Sequence, residues 1–201
     1  MAVNYNFIEI GTSDFDSLIE TVDDIATGIV VEPVNFYLYK LPHKPRIHKL
    51  CAAIGEKNSH AFIHYLNPNI IEKYQLPAWS KGCNMIGKNH PTVIDLLLKM
   101  NISPEEYFLK ESVATYTLNT VFDMFQVNSV EVVKIDAEGD DCMIMRQLHS
   151  IICQNRIYKP RKIYFETNEL GIKKDIEDIR TMFMNIGYKV TVGSEDSYLF
   201  Y

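Results

Sequence analysis

The stretch "VVKIDAEGDD", Val132–Asp141, ends an apolar run in a cluster of acids. Asp136 closes the run, and Glu138 and Gly139 follow it. Two carboxylates at the end of a buried strand repel each other unless a cation, a metal or a proton is shared. Such a pair suits holding a positively charged group, or accepting the proton of a hydroxyl that is to act as a nucleophile. Asp140 is explained well enough as an acid favouring the N-terminus of the next helix. A third carboxylate, Glu166, ends the apolar run in "IYFETN", where it and Asn168 are placed to orient an acceptor. Asp136, Glu138 and Glu166 are also hard oxygen donors of the kind Mg²⁺ takes, which leaves a metal reading open.

A second constellation lies near the start. Glu9-Ile10-Gly11-Thr12-Ser13 ends an apolar run and leads into a helix-like pattern. Gly11 lets backbone come close to a ligand, and the helix start offers free N–H groups. A dinucleotide site would want G-x-G-x-x-G here to bring backbone against a pyrophosphate. The sequence has G-T-S-D-F-D instead, and Asp14 and Asp16 would repel phosphate. A neutral or cationic ligand fits better. S-adenosylmethionine carries an ammonium and a sulfonium and no phosphate, and Glu9 is placed to attract both. About twenty residues on, Glu32 ends the next apolar run, where an acid accepts hydrogen bonds from ribose hydroxyls. Glu9 and Glu32 on consecutive strands together point to a nucleoside site.

The elements that must position these residues alternate. Apolar runs at Asn6–Ile10, Gly28–Glu32, Leu50–Ile54, Val113–Leu118, Val130–Asp136 and Lys162–Glu166 read as buried strands. Ser59–Tyr65 reads as a hairpin extension of the third strand. Helical spacing covers Asp14–Ile25, Thr92–Met100, Asn119–Gln126, Asp140–Cys153 and Lys173–Ile186. Ser103–Glu106 has the form of a capping box with proline at the first helical position. The closing "GYKVTVGSEDSYLFY" predicts two strands around a turn at Gly193–Asp196. Between these, Asn67–Glu111 reads as irregular, with Pro68, Pro77, Pro91 and Pro104, and is the natural lid or substrate segment. Trp79 within it suits either stacking on a sugar ring or filling a small lid core. The alternation predicts one α/β domain over residues 1–201, a mostly parallel sheet with helices on both faces.

Composition narrows the function classes. The 201 residues suffice for one full core. A net charge of −6 argues against a general nucleic-acid binder. No apolar run is long enough to span a bilayer, and no basic region precedes an apolar one at the N-terminus, so neither membrane attachment nor a signal peptide is expected. Cys51, Cys83, Cys142 and Cys153 are scattered without CxxC pairing, which suits reduced thiols in a cytoplasmic protein and predicts no zinc site. His60, His64 and His90 are further possible bases, while His149 reads as a surface residue on a helix.

The motifs "FIEIGTSDFDS", "VVEP", "TLNTVF", "VKIDAEGDD", "IYFETN" and "GYKV…DSYLFY" occur in an order that resembles the FkbM-type S-adenosylmethionine-dependent methyltransferases. The I-D-x-E-G core is the specific part; the first loop is shared by many methyltransferases. The resemblance covers most of the chain and is weakest across Asn67–Glu111. It implies a Rossmann-like, seven-stranded sheet ending in an antiparallel hairpin, and methyl transfer to a hydroxyl oxygen of a sugar or other small-molecule acceptor, without a metal. It places Glu9, Gly11, Thr12 and Ser13 in the first cofactor loop, Glu32 with Pro33 at the ribose, and Ala53 beside adenine. Asn84, in "KGCNMIG", matches a cofactor-proximal segment in which Cys83 and Asn84 stand for the usual serines. Asp136 and Glu138 match the family's D-x-E, with Asp136 expected at the cofactor's ammonium and Glu138 as the base. Ser13 stands where an asparagine is usual, the loop lacks a second glycine, and Asn119 stands where an aspartate is common. The chain also starts almost on its first strand, so the expected cover of the cofactor is a lid made from Asn67–Glu111, a partner chain, or none. Two other readings remain: a non-catalytic nucleoside-binding protein on the same scaffold, and a nicotinamide-dependent oxidoreductase, which the missing phosphate loop disfavours. Oligomeric state is not legible.

Overall fold

A computed structural model describes residues 2–167, 172–193 and 196–201. In chain order its elements are β1 (Val3–Ile10), α1 (Leu18–Thr21), β2 (Gly28–Val31), α2 (Asn35–Lys40), β3 (Ile47–Leu50), β4 (Ala53–Ile54), β5 (Ser59–Leu66), α3 (Pro68–Lys73) and β6 (Met85–Ile86). There follow α4 (Pro91–Lys99), β7 (Phe108–Tyr116), α5 (Leu118–Met124), β8 (Val127–Ile135), α6 (Asp141–Cys153), β9 (Lys162–Glu166), α7 (Lys173–Asn185), β10 (Lys189–Val192) and β11 (Asp196–Phe200). Single 3₁₀ turns lie at Ala78–Lys81 and Pro104–Glu106.

The main sheet runs β10-β11-β9-β8-β1-β2-β3. The pairs β2/β3, β1/β2, β1/β8 and β8/β9 are parallel, while β11 is antiparallel to both β9 and β10. Parallel strands covered on both faces read as unbroken apolar runs, and β2, "GIVV", is buried at every position. On one face Ile8, Ile10, Ile29, Val133 and Ile163 pack against α5, α6 and α7 through Leu118, Ile144, Leu148, Ile179 and Phe183. On the other, Phe7, Val30 and Val132 meet Ile19 of α1 and Leu38 of α2.

A second sheet was not anticipated. β4-β7-β5-β6 is formed from the chain between β3 and β8. β5 and β7 pair antiparallel along their whole length, from Ser59↔Thr115 to Leu66↔Phe108. The predicted third strand, Leu50–Ile54, is thus divided: β3 ends the main sheet and β4 begins the second, paired with β7. β5 does not extend β3 as a hairpin. Tyr37 of α2 packs among Ile63, Tyr65 and Val113 of this sheet while its neighbour Leu38 packs on the main one, so one short helix joins the two.

Two further expectations are corrected. The helix predicted for Asp14–Ile25 shrinks to the four residues of α1. Ser13 and Asp16 have φ of 49° and 52°, a left-handed backbone that no helix contains. Beyond it the Asp23 side chain accepts a bond from Ala26 N at 3.0 Å, closing a turn, and Ile25 is 73% exposed rather than in the core. The segment 67–111 is not irregular: α3, α4, β6 and two 3₁₀ turns enclose Leu66, Ile70, Leu76, Val93 and Leu97. The capping box expected at Ser103 is a 3₁₀ turn without a side-chain cap. Asn168 and the tip of the predicted terminal turn lie outside the described residues.

Candidate functional site

Gly11 brings the two acidic motifs together. Its φ is +77°, and a Cβ there would lie 1.7 Å from the carbonyl oxygen of Asp136. Gly11 N donates to Val31 O and Asp136 N donates to Ile10 O, both at 2.9 Å, so the carboxyl ends of β1, β2 and β8 are tied edge to edge. This is where an open α/β sheet binds its ligands.

Glu32 holds the loop that follows. Its Oε2 accepts from Thr12 N (3.1 Å) and Ser13 N (2.9 Å), and its Oε1 accepts from Val34 N (2.7 Å). The residue is buried, and burial outweighs these three bonds, pushing the carboxyl up to about 7. The loop is fastened on its far side as well. Ser13 Oγ donates to Lys81 O at 3.2 Å, and Asp14 sits 3.3 Å from Lys81 Nζ and 3.4 Å from Lys40 Nζ. Asn84 Nδ2 donates to the same Lys81 carbonyl at 2.9 Å. The segment between β5 and β7 thereby covers the loop.

The cleft so enclosed spans about 730 Å³ when the open space at its mouth is included. Val31, Ala52, Ala53, Ile54, Ile63 and Ile86 form an apolar wall, and Asp16, Glu32, Asp136, Glu138 and Asp140 an acidic one. Gly11, Thr12, Ser13, Pro33 and Asn84 complete the predicted residues that line it. Thr12 Oγ1 and Asn84 Oδ1 are buried there without a hydrogen-bond partner among the described residues.

Glu9 is placed elsewhere. It is fully buried, its Oε2 accepts from Leu18 N at 2.8 Å and its Oε1 lies 3.1 Å from Lys134 Nζ. It therefore caps α1 and pairs with β8 instead of facing the cleft. Burial raises its pKa, and the Lys134 charge works against that rise. Lys134, the one basic residue among the described lining, also donates to Asp16 O at 2.6 Å, so its ammonium is already engaged. It was overlooked in the sequence, although a lysine inside "VVKID" signals a buried anion nearby.

Asp136, Glu138 and Glu166 converge: one carboxylate oxygen of each lies within 4.8 Å of the others. Burial, then the charges of Asp141 and Glu138, push Asp136 up to about 8, with Lys134 opposing. Burial, then Asp136 and Glu138, push Glu166 up to about 9. Glu166 lies behind Asp136 and is not on the cleft wall. Glu138 has φ of 50°, and its Oε2 meets His90 Nε2 at 3.1 Å. His90 begins α4 and is only 3% exposed. Asp141, unremarked in the sequence, closes the turn after β8 by accepting from Ala137 N (3.0 Å) and Gly139 N (3.1 Å). Burial pushes it up to about 6 against those two bonds.

The remaining candidates stand apart. His64 Nδ1 pairs with Asn89 Oδ1 at 2.7 Å, His60 is exposed, and His149 lies edge-on to Phe183. Trp79 is 40% exposed on its 3₁₀ turn and does not line the cleft. Among the described residues no helix is long and apolar enough to cross a membrane.

A sheet of this order, an acidic cleft at the ends of β1, β2 and β8, and the I-D-x-E-G turn beside it are now fixed in one place. No curated protein matches the chain. Its residues 9–190 match the model of the methyltransferase FkbM domain. The match spans nearly the whole chain, which therefore belongs to the FkbM methyltransferase family.

Proposed function

We propose that this protein transfers a methyl group from S-adenosylmethionine to a hydroxyl oxygen of a small-molecule or glycan acceptor, as a cytoplasmic enzyme. The observation that carries the reading is the cleft's acidity: five carboxyl groups line it, Asp16, Glu32, Asp136, Glu138 and Asp140, and the lysine among the described lining is neutralised by Glu9. Such a wall repels a pyrophosphate and suits an ammonium and a sulfonium.

The residues present fit the cofactor. Ala53, Ile54, Ile63 and Ile86 offer apolar surface to adenine, and the unpartnered Asn84 Oδ1 and Thr12 Oγ1 offer acceptors. A carboxylate has about four acceptor positions. Glu32 spends three on backbone N–H groups, which leaves one for a ribose hydroxyl. Asp136 would hold the ammonium, since a cation beside it offsets the repulsion from Glu138 and Glu166.

When bound, S-adenosylmethionine supplies an electrophilic methyl. The chain's own residues do the rest. Alignment of the acceptor with that methyl supplies much of the rate. The acceptor's hydroxyl proton goes to Glu138, whose carboxylate reaches the cleft and is held by His90 Nε2. Asp136 and Glu166, pushed up to about 8 and 9, carry little charge at neutral pH until a cation binds beside them.

Calorimetry with S-adenosylmethionine, S-adenosylhomocysteine and NAD tests the first half. Micromolar binding of the adenosyl ligands with none of NAD is expected; preferential NAD binding sinks the proposal. An acceptor screen tests the second half. E138Q should retain adenosyl binding and lose about 10²–10⁴-fold in turnover. Full turnover by E138Q removes the base assignment, and binding without transfer across a broad screen leaves a non-catalytic protein.

A further inference from the structure

We propose that Cys83, His90 and Glu138 form a zinc site that pins the covering segment to the end of β8. Cys83 Sγ, His90 Nε2 and a Glu138 carboxylate oxygen all lie within 4.8 Å of one another, and the His90–Glu138 pair is at 3.1 Å. With zinc bonds of about 2.0–2.3 Å in a tetrahedron, neighbouring donor atoms sit roughly 3.3–3.6 Å apart. The nitrogen and oxygen are therefore almost at that spacing already, and the sulfur needs at most about an ångström of movement.

The donors are well prepared. Cys83 and His90 are 7% and 3% exposed. His90 starts α4 without using its side chain as a cap, and Cys83 makes a long contact of 3.6 Å to Trp79 O and a side-chain hydrogen bond with Glu138. Glu138, with a left-handed backbone, reaches His90 Nε2 with its carboxylate. A thiolate, a carboxylate and a neutral imidazole balance a divalent charge, which removes the cost of burying any of them alone. The mixture of sulfur, nitrogen and oxygen selects zinc over magnesium. Glu138 also lines the cleft, so the site borders it. Asp136 and Glu166 also come within 4.8 Å of Glu138, but three carboxylates alone would suit magnesium.

The site shares Glu138 with the methyl-transfer reading, and a bound zinc would occupy the carboxylate assigned there as the base, but metal binding is measured without cofactor or acceptor and so tests the site by itself. The full chain, stripped with a chelator, is titrated with Zn²⁺ against a chromophoric competitor and, separately, with Co²⁺. One equivalent of zinc is expected to bind, and the cobalt form to show a thiolate charge-transfer band in the near ultraviolet. C83S should abolish that band, and C83S and H90Q should each weaken zinc binding roughly a hundredfold or more. The cobalt spectrum of the unaltered protein decides the matter should either variant fail to fold. Absence of stoichiometric binding, or a cobalt spectrum without the thiolate band, overturns the proposal. So does Mg²⁺ binding that is lost in E166Q and unchanged in C83S. Zinc binding in a protein that takes no adenosyl ligand would uphold this site and sink the methyl-transfer reading alone.

Discussion

Replace Glu32 by alanine and three backbone N–H groups, those of Thr12, Ser13 and Val34, lose their acceptor at once. Each buried donor left without a partner costs about 1–3 kcal/mol, so the three set an upper range of roughly 3–9 kcal/mol. Two effects reduce it. The cleft borders the loop, so water can reach some of the freed donors. Glu32 is itself costly to ionise where it is, as its pKa of about 7 shows, and alanine removes that cost. The expected loss for E32A is therefore about 3 kcal/mol, read as a lower urea midpoint at unchanged slope. E32Q keeps one carbonyl acceptor and should fall between E32A and the unaltered protein. If E32A loses less than about 1 kcal/mol, the carboxylate is not the clamp of the Gly11–Ser13 loop. The measurement also guards against a false inference: lost adenosyl binding in E32A would follow from a collapsed loop as readily as from a missing ribose contact.

Three further outcomes follow from the geometry. G11A must push a methyl into the Asp136 carbonyl at 1.7 Å and hold a left-handed φ, so a loss above about 3 kcal/mol or insoluble protein is expected, and an unchanged melting temperature would contradict the packing of β1 on β8. Asp141, Asp136 and Glu166 have folded pKa values of about 6, 8 and 9, above the unfolded value of about 4. The folded state then holds more protons than the unfolded one, so their contribution is full below about pH 4 and is lost as pH rises through 6, 8 and 9; E166Q should flatten the decline in urea midpoint between neutral and alkaline pH, and an equally steep decline in E166Q would refute the coupling. L97A hollows the core beneath α4 and should cost about 2–5 kcal/mol; hydrogen exchange should show α4 opening before β1 and β8, and uniform loss of protection would show that the two sheets unfold as one.

The strands that build the site were readable because buried parallel strands are continuous apolar runs. Val31, Ile10 and Ile135 each end one, and the acids and glycine that follow mark the binding edge. The second sheet escaped because β5 and β7 lie some forty residues apart with no turn sequence between them to announce the pairing. The prolines misled in a specific way. The count of prolines marks 67–111 as irregular, yet Pro68 and Pro91 each open a helix where the missing N–H costs nothing, and Pro104 opens a 3₁₀ turn, the first-position role its own sequence predicts. Glu9 was assigned to a ligand because its partner, Lys134, is distant in sequence. The same distance hid the pairing of His90 with Glu138 and of Asp14 with Lys81. Spacing reveals what lies on one element; it is silent on what two elements bring face to face.

Inserting a whole sheet between β3 and β8 has a consequence for how the chain finds its fold. The central pair of the main sheet joins Ile10 to Ile135, so most of the polypeptide must be looped out before that contact forms. The insert pairs Ala53 with Thr115, and roughly half of that loop lies between them. Closure cost rises by about 0.6 kcal/mol per doubling of loop length. An insert that folds first, as its antiparallel β5/β7 ribbon permits, would shorten the search and speed the docking of β8 on β1 roughly threefold. The cover of the cleft would then be assembled before its floor.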